Sequence, residues 1–130
     1  MKRFRFRLQN LLTLERHRVH AARLALAREL KGLADLDHRR DQARGRIAEA
    51  TDRYREAIVG GVLDPHEIEG RQRVLARLQA DLLAVEEERE GVLSVVEERR
   101  RELAAVRAKE QLLERRRDDG LVAAARESCE

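Results

Sequence analysis

Tryptophan is absent, proline and cysteine occur once each, and Phe4, Phe6 and Tyr54 are the only aromatic residues in 130. Each scarcity excludes something. Phe and Trp usually fill a compact interior, so a single globular core is hard to build here. The lone Cys129 permits no internal disulfide and reads as a loose thiol near the end of the chain. No run of about 18 apolar residues occurs, so no membrane-spanning helix is expected. Met1-Lys2-Arg3-Phe4-Arg5-Phe6-Arg7 has the positive start of a secretory signal, but no apolar stretch or small-residue cleavage site follows it. These features lead us to expect a soluble, cytoplasmic protein.

What is present is charge and helix-forming residues. Asp, Glu, Lys and Arg make up 41% of the chain, far above the roughly 25% of ordinary domains. Ala, Leu, Glu and Arg dominate, the signature of long helices or a coiled coil. Breakers are concentrated in Gly60-Gly61-Val62-Leu63-Asp64-Pro65. Asp64 suits an N-cap, Pro65 the first helical position, and Glu67 the acid of a capping box. Gly60 or Gly61 can take the left-handed conformation that ends the preceding helix.

On either side of this turn the spacing alternates between 3 and 4. The first arm runs through Leu8, Leu12, Glu15, Val19, Ala22, Leu26, Glu29, Leu33, Leu36, Arg40, Ala43, Ile47, Ala50, Tyr54 and Ala57. The second runs through Ile68, Arg71, Leu75, Leu78, Leu82, Val85, Arg89, Val92, Val96, Arg99, Leu103, Val106, Glu110, Leu113 and Arg117. This is the seam of a left-handed coiled coil. The expected fold is all-α, a long antiparallel two-helix coiled-coil hairpin. One domain spans 1–130, with helix 1 over about 5–59, the turn at 60–64, helix 2 over about 65–118 and a frayed tail at 119–130. Folded about the turn, residues whose numbers sum to 125 face each other. Arms of about 54 residues would make a rod roughly 80 Å long.

Polar residues interrupt the seam, at Glu15, Glu29, Arg40, Arg71, Arg89, Arg99 and Glu110. Either their stems stay packed while their heads reach water, or they fix the register. With many Ala layers they imply a thin core, modest stability and fraying at the open end.

Charge is segregated. Residues 1–31 carry nine basic and two acidic side chains, residues 99–117 eight and three, and residues 32–98 ten and sixteen. The hairpin would place the two basic segments side by side, forming an electropositive end that steers toward an acidic partner.

Catalytic constellations are missing. Gly60-Gly61 lacks the Gly-Lys-Ser/Thr ending of a phosphate loop. His17 and His20 share a helix face without a third ligand, and His38 and His66 stand alone. Two helices offer no water-excluding pocket in which to shift a carboxylate's pKa. No catalytic residue, metal, cofactor or small-molecule substrate is expected. Lys2-Arg3-Phe4-Arg5-Phe6-Arg7 interleaves cations and aromatics, as a phosphate-contacting, base-stacking segment would. The preferred reading is a basic arm leading into helix 1 whose Phe4, Phe6 and Leu8 pack on the partner helix. The acid-balanced remainder and the lack of a reading module argue against nucleic acid.

The opening Phe4-Arg5-Phe6-Arg7-Leu8-Gln9-Asn10-Leu11-Leu12-Thr13-Leu14-Glu15-Arg16, followed by Ala21-Ala22 and Leu24-Ala25, resembles the start of FliJ, the small coiled-coil family of the flagellar type III export apparatus. The central turn and two long arms fit as well. The resemblance implies a stalk similar to that of rotary ATPases. It would be cytoplasmic and peripherally associated with the inner membrane at the export apparatus. Its open end would enter the hexameric export ATPase, through Arg3, Phe4, Arg5, Phe6, Arg7, Arg115, Arg116 and Arg117 in this sequence. Nearer the turn it would contact the export gate, a membrane protein, and it would escort export chaperones. Tyr54 fits the tyrosine that the family carries before the turn. Ile47, Ala50, Val74 and Leu78 lie near it by helix spacing and overlap the expected core. Tyr54 can equally be a core-edge aromatic stacked on Arg71. The analogous stalk of a type III secretion injectisome and a nucleic-acid-associated coiled coil are the competing readings.

Overall fold

A computed structural model of the chain describes residues 2–61 and 64–129, and the side chains of all of these except 128 and 129. The chain is an all-α hairpin of two long helices packed against each other. Helix α1 spans Lys2–Val59 and helix α2 spans Pro65–Cys129. The turn forms as its residues dictate. Gly61 takes the left-handed conformation at φ 67° and is the residue that ends α1. The Gly60 amide donates to the Glu56 carbonyl at 2.9 Å and the Gly61 amide to the Ile58 carbonyl at 3.1 Å, satisfying carbonyls the helix leaves open. Asp64 Oδ1 accepts from the Glu67 amide at 2.8 Å, the N-cap bond expected of that residue. Val62 and Leu63 lie outside the described residues.

Every expected seam position of α1 is buried or half-buried, and so is every one of α2 except Arg71. Arg71 shares a layer with the bulky Tyr54 in the expected register, and its long side chain is directed to water. The register is visible in the ion pairs that flank the seam. If facing seam residues sum to 125, the flanking pairs on one side must sum to 130 and those on the other to 127. Arg16 pairs with Glu114 and Arg44 with Glu86, both summing to 130; Arg39 pairs with Glu88, summing to 127.

Two compact units divide the chain, one formed by Met1–Glu29 with Val95–Glu130 and the other by Leu30–Ser94. The first unit holds Leu8, Leu12, Val19 and Val96, all buried, with Leu12 at 0% and Val96 at 2% exposure. Leu12 opposes Leu113 and Val19 opposes Val106 in this register. These full-sized layers give the terminal segment a better core than the thin, fraying one expected of it. Each such side chain stabilises the fold by roughly 1.5–3 kcal/mol. α2 also continues to Cys129 instead of ending near 118. The 3–4 spacing goes on through Arg117, Gly120 and Ala124, each half-buried, so the stretch expected to fray has packing of its own.

The second unit is buried less, with Leu36 and Val85 as its most enclosed apolar residues. Polar contacts accompany them. Arg89, a seam residue, donates from Nε to Asp37 Oδ1 at 2.5 Å, and Arg40 Nη1 lies 3.4 Å from the same oxygen. So here the polar seam residues do more than reach water: they reach a specific carboxylate across or along the helices. The Arg89 hydrogen bond holds the Asp37 carboxyl below its ordinary 3.8; desolvation opposes this, and the charges of Arg89 and Arg40 add to it.

Two outcomes follow for stability. The depressed Asp37 pKa means that its contribution is present above the ordinary aspartate range and disappears as pH falls through the folded value. Urea titrations from about pH 5 to about pH 2 should show wild type losing stability more steeply than Asp37→Asn. The glycines should respond with opposite signs. Gly45→Ala, where an added Cβ meets nothing within 4 Å, should stabilise by roughly 1 kcal/mol. Gly61→Ala, at positive φ, should destabilise by about the same amount.

Candidate functional site

The residues with surface to offer are at the terminal end of the first unit. Arg3, Arg5 and Arg7 are exposed, as are Arg115 and Arg116. No acidic residue occurs between Lys2 and Leu14, so the start of α1 carries unopposed positive charge. Phe4 and Phe6 are 64% and 69% exposed. They do not pack down as Leu8 does, and the reading of all three as core residues holds for Leu8 alone. Arg117, named both as a seam residue and as a ring contact, follows the seam placement. It occupies the seam position opposite Leu8, half-buried, with Nη2 3.5 Å from Asp118 Oδ1 and a buried Nε that has no hydrogen-bond partner.

Between the two helices here lies a groove of about 580 Å³ lined by Phe4, Leu8, Gly120, Leu121, Ala123 and Ala124, with Lys2, Arg5, Phe6, Gln9 and Arg117 around it. Residue types alone gave no expectation of a pocket. The groove exists because α2 runs past Arg117 and lays small residues against the start of α1. Gly120, Leu121, Ala123 and Ala124 are therefore site residues that the sequence reading missed. The signal was the seam spacing continuing through Gly120 and Ala124.

The longer α2 changes the charge balance too. The first unit holds seventeen basic and eleven acidic side chains and the second eleven and fourteen. The sign difference survives, but Asp118, Asp119, Glu127 and Glu130 offset the basic residues of α2, leaving the excess on α1.

The second group of expected site residues lies in the second unit. Tyr54 is half-buried, and its hydroxyl accepts a hydrogen bond from Gln72 Nε2 at 3.4 Å. Arg71, which shares its layer in the expected register, is exposed. Ile47, Ala50 and Leu78 are half-buried seam residues. Val74 differs: at 53% exposure it lies off the seam and is not core. Near the turn Ile58 and Val59 also expose apolar surface, Val59 at 88%. Among the described residues no three His, Cys, Asp or Glu side chains are grouped to hold a metal ion, and no helix is long and apolar enough to cross a membrane.

One polar residue is out of place. Glu15 is 6% exposed; its Oε1 accepts from Arg18 Nη1 at 2.7 Å, while Oε2 has no hydrogen-bond partner among the described residues. In this register it shares a layer with Glu110. No family model matches this chain, nor does any curated protein or solved structure. Its function is therefore read from its own residues.

A buried carboxylate with one orphan oxygen is a local weakness. Burying a carboxylate with incomplete hydrogen bonding costs free energy, and Arg18, its ion-pair partner, is itself half exposed and keeps its hydration when Glu15 is replaced by an apolar residue. Glu15→Leu should raise the urea midpoint with an unchanged denaturant slope; a lowered midpoint would show that the carboxylate is needed where it is.

Proposed function

We propose that this chain is a stalk and adaptor of a flagellar type III protein export apparatus, of the FliJ kind, working in the cytoplasm at the inner membrane. The observation that carries the proposal is the start of α1: Arg3, Phe4, Arg5, Phe6 and Arg7, all exposed, with no acid before Glu15. Surface of this kind serves to bind. Arginine is among the residues that dominate binding energy at protein interfaces, and phenylalanine is enriched there. The cations suit a hexameric ATPase whose ring presents acidic groups, and Arg115 and Arg116 join them from α2.

The long continuous helices support a role in which contact is transmitted along a helix instead of being converted by chemistry on the chain. α1 alone has 58 residues. The ATP hydrolysis is the ring's; the stalk supplies a contact that promotes ring assembly and turnover. Contact with the export gate is assigned to the second unit through Tyr54, with Val74 as its exposed apolar neighbour. Ile47, Ala50 and Leu78 support that face from the seam. Export chaperones are the third class of partner.

Replacing Arg3, Arg5, Arg7, Arg115, Arg116 and Arg117 by Gln should weaken capture and stimulation of the export ATPase by at least tenfold, with helix content close to wild type by circular dichroism. Equal loss of helix and of stimulation removes the proposal. A steeply salt-dependent DNA shift at low nanomolar protein, with no ATPase capture, would favour the nucleic-acid reading instead.

A further inference from the structure

The basic segment was legible as a charged patch. The structure adds a groove beside it, and the groove's chemistry narrows what can fill it. Its floor on α2 is made of Gly120, Ala123 and Ala124, and its walls include Phe4, Leu8 and Leu121. The floor is open: a Cβ built on Gly120 would meet nothing within 4 Å. Along α1 the lining runs from Lys2 to Gln9, about two turns of helix. Lys2 and Arg5 stand at the rim, and Arg117, paired with Asp118 through Nη2, contributes a buried Nε with no hydrogen-bond partner among the described residues.

Small residues on a helix let another backbone approach closely, while large apolar walls give side chains something to bury against. The neighbouring backbone is wholly helical, so its amides and carbonyls are already bonded. It has no edge to which an extended peptide could add. An incoming helix needs no such edge. Charge then selects the type of helix. A basic partner, or the same end of a second copy, would set cation against cation. We propose that this groove receives an acidic amphipathic helix, its apolar stripe on Gly120, Ala123 and Phe4 and its carboxylates on Lys2, Arg5 and Arg117. This rests on the reading of the terminal end as the contact with the export ATPase, and it states what that partner must present.

The test uses the full chain and two fluorescein-labelled peptides of about twenty residues, long enough to hold a helix. Both carry Leu at helical i, i+3, i+4 spacing; one is flanked by Glu and the other by Lys. Anisotropy should show binding of the Glu peptide and none of the Lys peptide. Gly120→Phe, which fills the floor, should weaken the Glu peptide at least tenfold with helix content unchanged. Ala123→Leu does the same job should Gly120→Phe disturb the fold, and Lys2→Gln with Arg5→Gln should also weaken binding about tenfold. Equal binding of both peptides, or binding indifferent to the floor variants, overturns the proposal. So does self-association, or sedimentation with phosphatidylserine vesicles, that the floor variants abolish while the Glu peptide fails to bind. The ATPase hexamer separates the two layers of inference. If the ring captures wild type and Gly120→Phe equally, the groove assignment falls and the stalk reading stands. If the groove takes the Glu peptide but the ring ignores the wild-type chain, the stalk reading falls and the groove stands.

Discussion

Everything in this molecule depends on one constraint: two seams of 3–4 spacing must meet across a turn that allows a single register. Gly61 and the Asp64 cap fix where the chain reverses. The seam then has to match layer by layer, and the ion pairs Arg16–Glu114, Arg39–Glu88 and Arg44–Glu86 lie at the offsets this match requires. Individually such exposed pairs are worth little, about 0–1 kcal/mol. Their value here is in specifying alignment. Apolar burial along the seam stabilises the hairpin, and the charges discriminate against slipped alternatives.

The same constraint explains which parts of the structure were legible in the sequence. A periodicity sustained over many turns averages out local exceptions, so the seam and both helix boundaries at the turn could be read directly. Side chains that leave the seam depend on volume within one layer, which periodicity does not encode. Arg71 leaves the seam for water, and Val74, adjacent to the seam, is exposed and not core. The C-terminal stretch was misread for a different reason. Gly120 and Ala124 continue the repeat with small residues in place of large apolar ones, and α2 reaches Cys129.

That continuation alters the functional picture. An isolated basic arm would be a general attractor of anions. A basic arm beside a groove floored by glycine and alanine is more selective, because apolar shape and charge must be met together. Phe4 and Phe6 lie off the 3–4 seam that buries Leu8, and both remain exposed. The orphan oxygen of Glu15 shows that full satisfaction was not reached even in the better-buried unit. A chain with so few aromatics exposes two of its three where binding is proposed.

The register can be tested directly by engineered disulfides in a Cys129→Ser background. Leu33→Cys with Val92→Cys places the thiols in one layer, whereas Leu33→Cys with Val85→Cys or with Arg99→Cys places them one heptad apart, about 10 Å along the axis and beyond disulfide reach. Rapid intramolecular oxidation of the first pair alone is the expected result. Comparable cross-linking of either displaced pair, or cross-links that form only between chains, would contradict the hairpin on which the stalk and its groove rest.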